Sequence, residues 1–328
     1  MVIFFMYGNL GIIGVSGVVG SKFLEVLKEY NLEFDSYRFF ASSKSKGKVI
    51  NYLNKDIVIE ELKEGCFKGL DYVLFSAGSE VSKVYCLEAE KEGCIVIDNS
   101  SAFRNDDDIP LIVSEINMED FYNSKRKIIA NPNCSTIQCV IVLNEINKVN
   151  NIKKVIYSTY QAVSGAGKKG IDDLLNIKKG FFPLDINKTC IPVIGDILDN
   201  NYTNEEIKMI KETKKILKNP SLLVSATCVR VPILNSHAVS VYLELENDID
   251  LDLIKKELAK SSSIVIMDDL GLFPSSLVAN GNDLVFIGRI RIDLDNPKGL
   301  WFYCVSDNLR KGAASNAVQI LRNIILGQ

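Results

Sequence analysis

The sequence predicts an α/β protein in which a doubly wound, parallel-sheet domain precedes an α+β domain with a mixed, largely antiparallel sheet. Three observations carry that expectation. A chain of 328 residues has the length of about two domains, at roughly 100–200 residues each. Its first part alternates short apolar runs with polar or helical stretches, the rhythm of a parallel sheet wrapped by helices. After a helical stretch from about Ser135 to Val149, the apolar runs lengthen and become β-type.

The first strand is expected at Leu10–Ile13, followed by a glycine-bearing turn and a helix through Tyr30 with Phe23, Leu24 and Leu27 on its apolar face. Further strands are expected at Tyr37–Ala41, Tyr72–Ser76, Ile95–Ile97 and Lys127–Ala130. In the second part the β-type runs are Val155–Tyr160, Leu222–Val231, Ala238–Leu245, Leu284–Ile290 and Leu300–Val305. Helices intervene near Thr203–Lys218, opened by a Thr-x-x-Glu capping box of Thr203 and Glu206, and near Leu251–Lys260. The last segment, Asn308–Leu326, reads as helical again.

Composition narrows the chemistry. With 47% hydrophobic and 24% charged residues the chain is an ordinary globular one. A net charge of -3 without a long basic block argues against nucleic acid. The apolar start Met1–Tyr7 is far shorter than the ~20 residues of a membrane span and lacks the features of a signal peptide, so a cytoplasmic protein is expected. His237 is the only histidine, which excludes sites built on several imidazoles. The eight cysteines include no C-x-x-C pair, so no metal is expected and most thiols should be buried packing groups.

Glycines 14, 17 and 20 lie between the first strand and its helix. They let the backbone approach a phosphate while the helix N-terminus supplies free N–H groups, so the first domain is expected to be Rossmann-like and to bind a dinucleotide. The second strand ends in Ala41-Ser42-Ser43-Lys44-Ser45, with hydroxyls and a lysine where an NAD enzyme places a carboxylate. Those groups suit a 2′-phosphate, which makes NADP the expected cofactor.

Cys134 follows the polar turn Asn131-Pro132-Asn133 at the start of a helix. A helix N-terminus favours thiolate over thiol, as a covalent nucleophile requires. His237 is the one side chain whose ordinary pKa suits proton transfer near neutrality, and so the natural acid/base partner. Arg230 and Arg104 offer forked anion contacts, or else structural ion pairs. Gln161 ends a strand before the small-residue loop Ser164-Gly165-Ala166-Gly167 and could hold an amide near a reacting centre. Glu212 and Lys215, three residues apart on one helix, read either as a solvated pair or as site residues.

Taken together, these blocks resemble the aspartate-β-semialdehyde dehydrogenase family. The likeness rests on residues 14–20, 74–78, 97–104, 131–138, 158–167, 227–230 with His237, and 305–314, in the family's order. It implies NADPH-dependent reductive dephosphorylation of L-4-aspartyl phosphate to L-aspartate 4-semialdehyde, or its reverse, in lysine, threonine and methionine biosynthesis. By similarity Cys134 attacks the acyl phosphate, His237 is acid/base, and Asn133 and Gln161 orient the substrate or thioester. Arg230 would clamp the substrate carboxylate and Glu212 its amino group, while Arg104 and Lys215 would form the phosphate subsite. The cofactor would touch Gly14, Ser16, Gly17, Val18, Val19, Ser42, Lys44, Ser45, Ser76, Ser164, Gly165 and Asn308.

The resemblance also implies a homodimer or dimer of dimers joined through the second domain. The domains would be 1–133 and 134–307, with the C-terminal helix 308–328 packing back on the first. Lys44 stands where many members carry Arg, keeping the charge but losing the fork. Met6 is an alternative start. N-acetyl-glutamyl-phosphate reductase is the nearest rival, disfavoured by the pattern around Cys134 and by the Arg230–His237 spacing. A non-catalytic NADP-binding regulator and a cysteine hydrolase without dinucleotide are the rivals from other classes.

Overall fold

A computed structural model describes residues 7–268 and 271–327; Met6, the alternative start, lies outside them. The chain divides into two compact units, one formed by residues up to Pro132 together with Ala313 onward, the other by Asn133–Gly312.

The first unit runs β1 (Asn9–Ile13), α1 (Val18–Glu29), β2 (Ser36–Ala41), β3 (Val49–Tyr52), β4 (Lys55–Glu61), β5 (Tyr72–Phe75), α2 (Ser79–Lys91), β6 (Ile95–Asp98), α3 (Glu119–Tyr122) and β7 (Ile128–Ala130). Its sheet has the order β3-β4-β2-β1-β5-β6-β7. Every pairing is parallel except the β3–β4 hairpin. The central strand β1 is almost wholly buried, because a strand between parallel neighbours carries helices on both faces. The hairpin escapes the hydrophobic pattern, since its strands are half polar. Its turn is made by Leu53 and Asn54, both at positive φ, as a two-residue hairpin loop requires.

The second unit runs α4 (Cys134–Val149), β8 (Ile152–Gln161), α5 (Gly167–Leu174), α6 (Asn204–Ile216), β9 (Leu223–Arg230), β10 (His237–Leu245), α7 (Leu251–Leu258), β11 (Ile264–Ile266), α8 (Ser276–Ala279), β12 (Val285–Ile292) and β13 (Gly299–Ser306). Its sheet, in the order β11-β12-β13-β10-β8-β9, is mixed: the two outer pairs are parallel and the three inner pairs antiparallel. One face, with Val155, Tyr157, Val241, Leu243 and Phe302, is buried. The opposite face carries Tyr160 against Tyr303 and Tyr242 against Trp301, all partly exposed.

Strand direction gathers the ends that matter. Gln161 pairs with Arg230 where parallel β8 and β9 finish, and antiparallel β10 begins at the same edge with His237, opposite Ser306 at the end of β13.

The closing helix α9 (Ser315–Leu326) buries Ala317, Val318, Ile320 and Leu321 in the same core as Phe23, Val26 and Leu27 of α1. Asn308–Gly312, expected to belong with this helix, fall instead in the second unit. There Asp307 accepts the Leu309 and Arg310 amides, and Arg310 pairs with Asp283. Asn133 also lies in the second unit, held by Glu205 and Glu212. Among the described residues no helix is long and apolar enough to cross a membrane.

Candidate active site

Cys134 is the first residue of α4 and is partly exposed. Asn133 caps that helix: its Oδ1 accepts the amides of Ser135 (2.9 Å) and Thr136 (3.3 Å). Its own amide donates to Glu212 Oε2 at 2.6 Å and its Nδ2 to Glu205 Oε1 at 2.7 Å. Asn133, expected to orient substrate or thioester, thus also fixes the start of the helix that carries Cys134. Gly312 lies behind the cysteine; a Cβ there would sit 2.9 Å from Cys134 Cβ, which leaves room for no other residue.

His237 is fully buried. Its Nδ1 accepts the Ala162 N–H at 3.0 Å, so the neutral ring carries its proton on Nε2. Burial, and then the neighbouring Arg230 charge, pull its pKa down to about 3, while Glu205 pushes the other way. The ring is thus a neutral N–H donor at physiological pH. Ser236, just before it, stands at φ +73°, a conformation that L residues occupy only when their surroundings impose it.

Arg230 donates from Nη1 to the Ala162 carbonyl at 2.6 Å. Gly165 faces both groups: a Cβ on it would lie 2.9 Å from His237 Nε2 and 3.0 Å from Arg230 Nη1. Gln161 is buried at the same sheet edge. Asn308 and Ser164 hydrogen-bond each other, Asn308 Nδ2 donating to Ser164 Oγ at 3.0 Å. Glu212 is 1% exposed, so the solvated-face alternative fails for it. Lys215 is partly buried one turn further along α6.

The sequence reading missed Glu205. As an acid in the first turn of α6 it looks like ordinary helix-dipole chemistry. Yet it is buried, bonded to Asn133 and paired with Lys208 at 3.1 Å. Burial opposes its charge, but Lys208, Asn133 and Arg230 outweigh burial and hold the carboxyl below its usual range. Glu205→Ala is expected to cost about 2–4 kcal/mol of stability, since it strands buried partners. It should also slow alkylation of Cys134. Urea unfolding and timed iodoacetamide labelling check both; an unchanged labelling rate would reduce Glu205 to a structural group.

In the first unit the glycine turn has the form a phosphate requires. Gly14 has φ +76°, and a Cβ on it would lie 2.1 Å from the Ser76 carbonyl oxygen; one on Gly20 would lie 2.1 Å from Gly14 O. Ser16 Oγ reaches Ser45 Oγ at 3.4 Å, joining the turn to the end of β2, where Ser42 and Lys44 are exposed. Arg104 is buried and donates from Nη2 to the Asn99 carbonyl at 2.8 Å. The remaining thiols are buried, with one exception: Cys190, also expected to be a packing group, is exposed.

A parallel sheet with a glycine turn, joined in one chain to a capped cysteine and a buried histidine, suits a dinucleotide-dependent dehydrogenase. Two family profiles match: "Semialdehyde dehydrogenase, NAD binding domain" over residues 9–124 and "Semialdehyde dehydrogenase, dimerisation domain" over residues 143–311. The chain belongs to the aspartate-semialdehyde dehydrogenase family. It is 43% identical to the aspartate-semialdehyde dehydrogenase of Aquifex aeolicus, covering 97% of this chain and 98% of that one. It is 41% identical to that of Bacillus subtilis, covering 96% and 97%. Among solved structures, aspartate semialdehyde dehydrogenase II of Vibrio cholerae complexed with ASA is 40% identical, with a TM-score of 0.92 over 98% of this chain and 99% of that one. The Candida albicans enzyme with NADP is 25% identical, with a TM-score of 0.76 and 98% coverage of each chain.

Proposed function

We propose that the protein catalyses NADPH-dependent reductive dephosphorylation of L-4-aspartyl phosphate to L-aspartate 4-semialdehyde, and the reverse, through a thioacyl group on Cys134. The observation that carries this reading is the placement of a partly exposed thiol at a helix start capped by Asn133, in the same unit as a neutral, buried His237. The Cys134 thiolate attacks the acyl carbon, the bond to the phosphate oxygen breaks, and phosphate leaves. The resulting thioester can be reduced where a carboxylate cannot. When bound, the dinucleotide supplies the hydride. The C–S bond then breaks, releasing the aldehyde and restoring the thiolate. His237 Nε2–H, with the Cys134 amide, meets the negative charge that develops on the reacting oxygen.

Arg230 suits the substrate carboxylate and Glu212 its amino group; Arg104 and Lys215 suit the phosphate. The dinucleotide is assigned to Gly14, Ser16, Gly17, Val18, Val19, Ser42, Lys44, Ser45, Ser76, Ser164, Gly165 and Asn308. The bare glycine turn fits a pyrophosphate, and the exposed Lys44 and Ser42 beside it favour a 2′-phosphate, hence NADP. A cytoplasmic homodimer is proposed, joined through the sheet face that bears Tyr160 and Trp301, in keeping with the dimerisation profile.

Phosphate-dependent reduction of NADP and NAD, side by side, with L-aspartate semialdehyde tests the assignment. NADP turnover with this substrate is expected to exceed NAD turnover. Oxidation of only N-acetyl-glutamate semialdehyde would overturn the substrate, and preference for NAD would overturn the cofactor.

A further inference from the structure

His237 is held from two sides. On the ring, Nδ1 takes the Ala162 N–H. On the backbone, the residue before it, Ser236, stands at φ +73° and donates its amide to Asn308 Oδ1 at 2.8 Å. Ser236 is 1% exposed and Asn308 2%, so water does not compete for this bond. Asn308 is itself anchored. Its Nδ2 donates to Ser164 Oγ at 3.0 Å, and the preceding Asp307 takes the amides of Leu309, Arg310 and Gly281. A non-glycine residue leaves the left-handed region readily unless something fixes it there. Releasing the Ser236 amide would let the peptide relax and swing the Cα–Cβ bond of His237.

We propose that Asn308 is a positioning residue for His237: its side-chain oxygen holds the Ser236 peptide in the left-handed turn that aims the imidazole at the site. The inference rests on the assignment of His237 to the reaction. It gives Asn308 a second role, separate from the cofactor contact assigned to it above.

Because His237 is the only histidine in the chain, ring 15N spectra of histidine-labelled protein report on this one residue. The parent should show an unprotonated Nδ1 and a protonated Nε2. In Asn308→Ala that signature should be lost to exchange between tautomers. The kcat should fall by about 10- to 100-fold, with little change in KM for the semialdehyde. Ser236→Gly added to Asn308→Ala should recover part of the kcat, since glycine occupies this φ without strain. If Asn308→Ala fails to fold, Asn308→Asp replaces it: it keeps the Oδ acceptor for the Ser236 amide and should keep the Nε2–H signature.

An Asn308→Ala protein that keeps the parent ring spectrum and kcat, and changes only KM for NADP, would overturn the proposal. So would an Asn308→Asp protein that loses the signature. His237→Gln separates the two layers: full turnover in that variant removes the catalytic reading itself, whereas loss there with parent-like Asn308→Ala removes only the positioning role.

Discussion

Cys134→Ala is expected to lower phosphate-dependent NADP reduction by at least about 10⁴-fold, because on the proposed covalent route its loss leaves only binding and charge stabilisation. Dinucleotide binding should survive, since the residues assigned to it are elsewhere. The structural case is local. Asn133 closes the first turn of α4, and two carboxylates, Glu205 and Glu212, hold Asn133. The thiol therefore sits at the positive end of the helix dipole, which stabilises thiolate. Of the other thiols only Cys190 is exposed, so brief alkylation followed by mass analysis should modify Cys134 and Cys190 and spare the rest. Steady-state turnover of Cys134→Ala decides the matter: full activity would end the covalent route.

His237→Gln is expected to lower kcat by about 10²- to 10⁴-fold, the usual span for a positioned proton-transfer or donor group. The same residue makes a separate prediction about stability. Its folded pKa of about 3 lies below the ordinary 6.5, so the unfolded chain takes up the proton first. The benefit of burying the neutral ring is complete above pH ~6.5 and drains away as the pH falls toward 3, at up to about 1.4 kcal/mol per pH unit. Urea unfolding of parent and His237→Gln at pH 7 and pH 5 isolates this part. The parent should lose more stability on acidification than the variant; equal losses would show that the ring is not held neutral.

Much of this was legible before any coordinates. The strands of the first sheet that lie between helices announce themselves as apolar runs, and the Thr203–Glu206 capping box marks the start of α6 and forms in the structure. The helix start at Cys134 was legible because a polar turn meets an apolar helical run there, although that run, expected to be amphipathic, is buried on every side from Ser135 to Leu143. Other features were hidden for physical reasons. The β3–β4 hairpin is half polar and depends on two left-handed residues, so no hydrophobic period reveals it. Glu205 has the position of a dipole-complementing surface acid, and only tertiary packing buries it. Asn133 was singled out by the resemblance alone, and nothing local in the sequence showed that it is held by Glu205 and Glu212 on α6, 72 and 79 residues away. The Ser236 turn leaves no trace in a sequence where serine fits almost any loop.

The way the chain crosses between its two units has a consequence for how it is made. Asn131 Nδ2 reaches the Ala313 carbonyl at 3.3 Å, and a Cβ on Gly312 would touch Cys134. The second unit is therefore an insertion with adjoining ends, carried inside a dinucleotide-binding fold that resumes where it was interrupted. Its own sequence is continuous, so it has everything needed for its core once Gly312 has been synthesised. The first unit, begun earlier, lacks Ala317, Val318, Ile320 and Leu321 of its core until α9 has been synthesised. Synthesis thus completes the chain of the second unit before that of the first, the reverse of the order in which they begin.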